Sequence, residues 1–195
     1  MRALVLHHDA NSTLGLLGDL LVERGVEVEE HWICTEAASP VPAGPLPDLA
    51  DVRPDLVVAL GSRWSVYDTE SIGPWIGDEL ALLRGAHETG TPVLGICFGA
   101  QALAAALGGE VRPGAAPDIG WSTVRSEHPE IGDGPWFQWH FDVFDPPPGA
   151  SVLATSSMGC QAFQLGRSVG VQFHPELDGD LLRLWMDDDL DQLVS

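Results

Sequence analysis

Residues 3–6 form a short unbroken apolar run, and residues 14–24 then carry apolar side chains at helical spacing until Gly25 interrupts them. Residues 26–33 alternate and read as a second strand. Strand, helix and strand in this order predict a parallel sheet with a right-handed crossover. Prolines 40, 42, 45, 47 and 54 make residues 39–54 a loop or extended connection. Residues 56–60 are the next buried strand. Pro74-Trp75 opens a helix that runs to about residue 87, with proline in its first turn. Gly90 ends that helix, residues 91–96 form another buried strand, and residues 100–107, rich in Ala and Leu, continue as helix.

From residue 111 to about 165 the pattern changes to short alternating pieces at 121–124, 136–143, 151–154 and 161–165, separated by Pro- and Gly-rich turns. These predict antiparallel hairpins appended to the parallel sheet. Residues 169–173 are one more strand. A last helix from about residue 179 carries Leu181, Leu184 and Trp185 on one side, and the acidic run 187–191 reads as a solvated face. The expected fold is α/β: a flavodoxin-like open, mostly parallel sheet with helices on both faces and appended antiparallel hairpins.

At 195 residues and 45% hydrophobic content, the chain fits a single domain over 1–195 with a substantial core. Twenty-nine acidic residues against nine basic ones give a formal net charge of -20, which repels nucleic acid and anionic membranes. Every basic residue is Arg. Without lysine, Schiff-base chemistry, a lysine-held pyridoxal group and a P-loop lysine are all excluded. Cys34, Cys97 and Cys160 make neither an even set nor a C-x-x-C spacing, so no disulfide framework or zinc site is expected. The first apolar stretch is too short for a signal peptide and no segment reaches the length of a membrane span, so a cytoplasmic protein is expected.

Gly95-Ile96-Cys97-Phe98-Gly99 lies between a strand and a helix, in the G-x-C-x-G pattern of a nucleophile elbow with sulfur in place of oxygen. Small residues flank the turn because backbone passes close to it, and a helix N-terminus favours thiolate over thiol. Taken alone, the motif fits a nucleophile and a buried structural cysteine equally. His174 and Glu176, at the end of another strand, supply a base and a carboxylate to orient it. Two apart on an extended segment, with Pro175 restricting His174 to extended geometry, they would point the same way. Gly61 and Ser62 end the 56–60 strand in a turn suited to presenting backbone N–H groups. His7, His8 and Asp9 lie past the first strand, where open α/β sheets bind ligands; the plainer reading makes them loop residues capping the next helix. Cys34, Cys160 and the seven tryptophans read as packing.

GICFGAQ around Cys97, with VQFHPE ending at Glu176, resembles the class I glutamine amidotransferases, and among them the amidotransferase domain of GMP synthases. The resemblance implies Cys97 as nucleophile, His174 as base and then acid, and Glu176 as the orienting carboxylate. It implies oxyanion donors from the Phe98 N–H and from Gly61 or Ser62, and a substrate-holding role for Gln101. The family often has Gly-Gly-Pro or Gly-Ser-Pro where this chain has Gly61-Ser62-Arg63, which leaves open which N–H completes the hole. Residues 139–142 are similar to a family segment of His and Asp; His140 either lines the glutamine or ammonia side or is satisfied in an aromatic core. The implied reaction is glutamine hydrolysis through a thioester, without cofactor or metal, releasing ammonia to an acceptor, with a synthetase or acceptor protein as possible partner. The alternatives are a stand-alone hydrolase of γ-glutamyl amides or peptides and a non-catalytic regulatory module, against which the intact Cys, His and Glu argue. The loop 61–68 is the element expected to shift between a poor and a good oxyanion hole.

Overall fold

The structure, a computed structural model, describes residues 1–193, with side-chain surroundings through residue 187. Strands β1 (Arg2–His7), β3 (Leu56–Ala59) and β4 (Val93–Ile96) are almost wholly buried, as expected of parallel strands covered on both faces. With β2 (Glu27–Trp32), the late strand β9 (Ser168–Val171) and the hairpin β7 (Ser151–Ser156) and β8 (Gly159–Leu165), they form one sheet in the order β2-β1-β3-β4-β9-β8-β7. The first five strands in that order run parallel, and β8 and β7 are added antiparallel. Strand β2 is the opposite edge, and Glu27, Glu29 and Glu30 on it discourage pairing with another chain.

The period of two along β1 divides the core. Leu4 and Leu6 face α3 (Thr69–Glu88) and α4 (Phe98–Ala106), while Ala3 and Val5 face α1 (Gly15–Glu23). Helices therefore cover both faces, as the sequence predicts. No helix among the described residues is long and apolar enough to cross a membrane.

Several boundaries differ from expectation for local reasons. The proline-rich 39–54 segment contains a short helix, α2 (Leu49–Val52), because Asp48 caps it by accepting from the Ala50 N–H at 2.8 Å and Arg53 closes it at φ 46°. Helix α3 starts at Thr69, before Pro74, because Asp68 accepts from the Ser71 N–H; Pro74 lies on the exposed side. Strand β5 (Glu110–Val124) is much longer than residues 121–124 and pairs with β6 (Gly134–Asp145) as a separate two-stranded sheet. Its pairing breaks between Pro113 and Asp118, a stretch in which Pro113 and Pro117 lack donors. Only the β7–β8 hairpin extends the parallel sheet. In α5 (Gly179–Leu193), Leu181 is buried but Leu184 is 39% exposed, so they do not share one covered side. The acidic run from residue 188 lies outside the described side chains.

Candidate active site

Helix α4 begins two residues earlier than its composition suggests, which makes Cys97 its N-cap. Cys97 holds φ 53° and ψ -109°, a conformation that costs a non-glycine residue roughly 1–3 kcal/mol and survives only where its surroundings enforce it. The enforcement is visible. The Cys97 N–H donates to Val171 O at 2.8 Å and the Gly99 N–H to Leu60 O at 3.0 Å, clamping the turn between β9 and the end of β3. A Cβ on Gly99 would lie 2.0 Å from Ala59 O, and one on Gly95 2.4 Å from Gly99 O, so both glycines are required by close backbone approach. The sulfur faces the Trp139 carbonyl oxygen and the Gln172 amide nitrogen, each at 3.7 Å, and sits at the positive end of α4.

His174 and Glu176 meet with Nδ1 to Oε1 at 2.7 Å, both buried. Their meeting does not come from an extended segment. Strand β9 stops at Val171, and residues 174–177 turn, the Leu177 N–H approaching His174 O at 3.4 Å. The turn is fixed from outside by the His174 N–H donating to Phe137 O at 3.0 Å and the Leu16 N–H donating to Glu176 O at 2.8 Å. Burial works against a charge on His174, but the Glu176 carboxylate and the Cys97 sulfur outweigh it and raise the pKa to about 10. The ring is thus an imidazolium at neutral pH, with Nδ1–H donating to Glu176 and the second proton on Nε2. Cys34 and Cys160 are pushed up to about 11 by burial and stay thiols.

Gly61 sits against this pair: a Cβ there would be 3.3 Å from His174 Cε1 and 3.8 Å from Cys97 Cβ. Phe98 opens α4, so its N–H has no intrahelical partner. Gln101 lines the cleft, with its amide nitrogen committed to Asp142 O and Gln172 Oε1, both at 3.2 Å. His140 also lines the cleft. Its pKa is lowered, burial outweighing the opposite pull of Asp118, so the neutral ring donates Nδ1–H to Asp142 O at 2.9 Å.

Asp142 anchors the loop expected to move. Its carboxylate accepts from Ser65 Oγ at 2.5 Å and Tyr67 OH at 2.7 Å, while Gly61 O accepts from His8 and Ser12. The loop is held at both ends. His7 belongs to β1, and neither it nor its neighbours cap α1, whose N-cap, Leu14, makes no side-chain bond. Instead, His8 is fully buried against Glu79, a contact across 71 residues that local pattern could not reveal. The tryptophans are not all packing: Trp64, Trp139 and Trp185 line the cleft, and Trp121 is 68% exposed. Trp185 lays its ring against His174 at 4.7 Å and donates Nε1–H to Asn11 O at 3.0 Å. The cleft between these residues holds about 110 Å³.

These titrations fix a sign for stability. His174 and His8 bind protons more tightly folded than unfolded, so their contribution is full below pH 6.5 and declines above it, for His174 until about pH 10. The thiols of Cys34 and Cys160 act in the same direction between pH 9.0 and about 11. Urea midpoints measured at pH 7, 8, 9 and 10 are expected to fall steadily.

Comparison with known proteins gives a consistent picture. The family described as glutamine amidotransferase class-I matches residues 8–182. A gamma-glutamyl-L-1-hydroxyisopropylamide hydrolase of a Pseudomonas species is 33% identical over 166 residues, covering 75% of this chain and 55% of the hydrolase. A glutamine-hydrolyzing GMP synthase of Thermomicrobium roseum is 34% identical over 140 residues, covering 66% of this chain and 24% of the synthase. The chain therefore spans about half of the first relative and a quarter of the second. A solved glutamine amidotransferase of Thermotoga maritima superposes with a TM-score of 0.86 at 30% identity, covering 99% of this chain and 84% of that one.

Proposed function

Because this chain belongs to the class-I glutamine amidotransferases, we propose that it hydrolyses the side-chain amide of glutamine with Cys97 as nucleophile, His174 as acid and base, and Glu176 as orienting carboxylate. The observation that carries this reading is the buried 2.7 Å His174–Glu176 contact in the same cleft as a cysteine held at a helix N-terminus. Attack of the Cys97 thiolate on the amide carbon gives a tetrahedral oxyanion, which the Phe98 N–H and an N–H of the Gly61–Ser62 segment stabilise. His174 gives its Nε2 proton to the departing nitrogen, and ammonia leaves as the thioester forms. Neutral His174 then takes a proton from water, the hydroxide attacks the thioester, and glutamate and the thiolate–imidazolium pair are restored. Gln101 and His140 act as cleft walls that hold the substrate. No cofactor enters these steps.

The test is release of glutamate and ammonia from glutamine by the purified chain. Turnover is expected well below ~10 per second, a typical enzyme value, and to rise with a synthetase or acceptor protein. A surface of net charge -20 suits a partner with a basic docking face, whose association slows as salt rises. Turnover already at ~10 per second without any partner would reject that control. Because the reaction needs the His174 proton, kcat/KM is expected to fall as pH rises through about 10.

A second reading, hydrolysis of γ-glutamyl amides bearing an apolar group on nitrogen, is favoured by the aromatic wall of Trp64, Trp139, Phe141 and Trp185. Ammonia has no use for such a wall. A kcat/KM higher for γ-glutamyl-isopropylamide than for glutamine would select this reading.

A further inference from the structure

A wholly buried ion pair touches the loop beside Cys97. His8 and Glu79 are each wholly buried, with Nε2 to Oε1 at 2.9 Å. A buried ion pair is commonly no more stabilising than apolar residues of the same volume. Here the second Glu79 oxygen lacks a hydrogen bond among the described residues, so the pair is poorly explained as cement for the fold. What it does hold is one carbonyl. His8 Nδ1 donates to Gly61 O at 3.1 Å and Ser12 Oγ donates to the same oxygen at 2.9 Å, which fills both of its lone pairs.

Resting on the hydrolase reading above, we propose that His8 and Glu79 are positioning residues that hold the Gly61–Ser62 peptide with its carbonyl turned away from Cys97, making the Ser62 N–H the second donor to the reacting oxygen. The peptide is trans, so the Ser62 N–H points opposite to the Gly61 carbonyl. That carbonyl is directed at His8 and Ser12, while Gly61 itself abuts Cys97 and His174, and Ser62 lines the same cleft. Glycine offers little steric resistance to rotation of this peptide, and a rotated peptide would aim a carbonyl dipole at the developing oxyanion. The His8 ring also packs edge-on against Phe98 at 4.7 Å, so one side chain braces both donor segments. Glu79 completes the device. Burial pulls the proton from His8 and Glu79 restores it, leaving an N–H on each ring nitrogen to serve the carboxylate and the carbonyl together.

The experiment compares His8→Leu, Glu79→Gln and Ser12→Ala with the unaltered chain in two assays. One is steady-state hydrolysis of glutamine or γ-glutamyl-isopropylamide. The other is alkylation of Cys97 by iodoacetamide, a displacement at a saturated carbon that requires no oxyanion donor. His8→Leu is expected to lower kcat about a hundredfold, the effect of losing one donor, with KM and the alkylation rate within about twofold. Glu79→Gln keeps both donors to Gly61 O and loosens only the hold on the His8 ring, while Ser12→Ala keeps the His8 donor and its brace against Phe98, so each should show a smaller loss of the same kind. Ser12→Ala leaves the ion pair intact and decides the matter if His8→Leu does not fold. Unchanged kcat in the folded variants overturns the proposal, as does a fall in alkylation equal to the fall in kcat, which would mark a merely structural role. Absence of hydrolysis by the unaltered chain overturns the hydrolase reading and this proposal together.

Discussion

Replacing Cys97 by alanine is expected to lower turnover at least about 10⁴-fold, because the residues around a lost nucleophile retain only their binding and electrostatic contributions. Glycine at the same position should be equally inactive but more stable than the alanine variant by about 1 kcal/mol. Both lack the sulfur, and only glycine takes φ 53° and ψ -109° without strain, part of that gain being offset by the greater freedom of glycine in the unfolded chain. Paired urea melts of the two variants measure the difference directly. Equal stability would mean that the elbow stores no strain at Cys97.

The second large effect is expected at Gly99→Ala. The added methyl would overlap the carbonyl oxygen, the carbonyl carbon and the side chain of Ala59 at 2.0, 2.5 and 2.9 Å, and the first two are backbone atoms of a buried strand with nowhere to retreat. Overpacking of an ordinary core site costs about 1–3 kcal/mol; a clash of strand against helix backbone should reach or exceed the top of that range. Because Gly99 N–H also bonds Leu60 O, the helix would lift from β3 beside Gly61, and activity should fall along with the melting temperature. Gly77→Ala, on the same sheet face but with open space around the new methyl, is the control and should be nearly neutral.

The parallel strands were legible because they are short apolar runs, and the elbow because its two glycines and cysteine are contiguous. His174 and Glu176 are legible as neighbours in sequence, but extended geometry is not what makes them converge: a turn held by Leu16 and Phe137 unites them, and neither partner has any local signal. The same holds for Asp142, whose partners Ser65 and Tyr67 lie 77 and 75 residues away. A loop judged by Gly61 and the missing proline reads as free to move; judged by its remote hydrogen bonds it is tied. The 110–124 strand was obscured because Pro113 and Pro117 normally argue against pairing, and only a partner able to skip past them through an irregular register makes a long strand there.

The position of β9 has a consequence for how the protein comes into being. Strand β9, the last of the described strands, lies in the middle of the sheet, between β4 and the β8–β7 hairpin, and His174, Glu176 and Trp185 of the cleft follow it. On the ribosome, the half-sheet β2-β1-β3-β4 emerges with the far edge of β4 unpaired, and it waits for some seventy residues before its neighbour exists. During that interval the nascent chain carries Cys97 without His174 and Glu176. The cleft is therefore completed only after β9 has been added, and the exposed edge of β4 is the surface through which an interrupted chain would find another chain instead of itself.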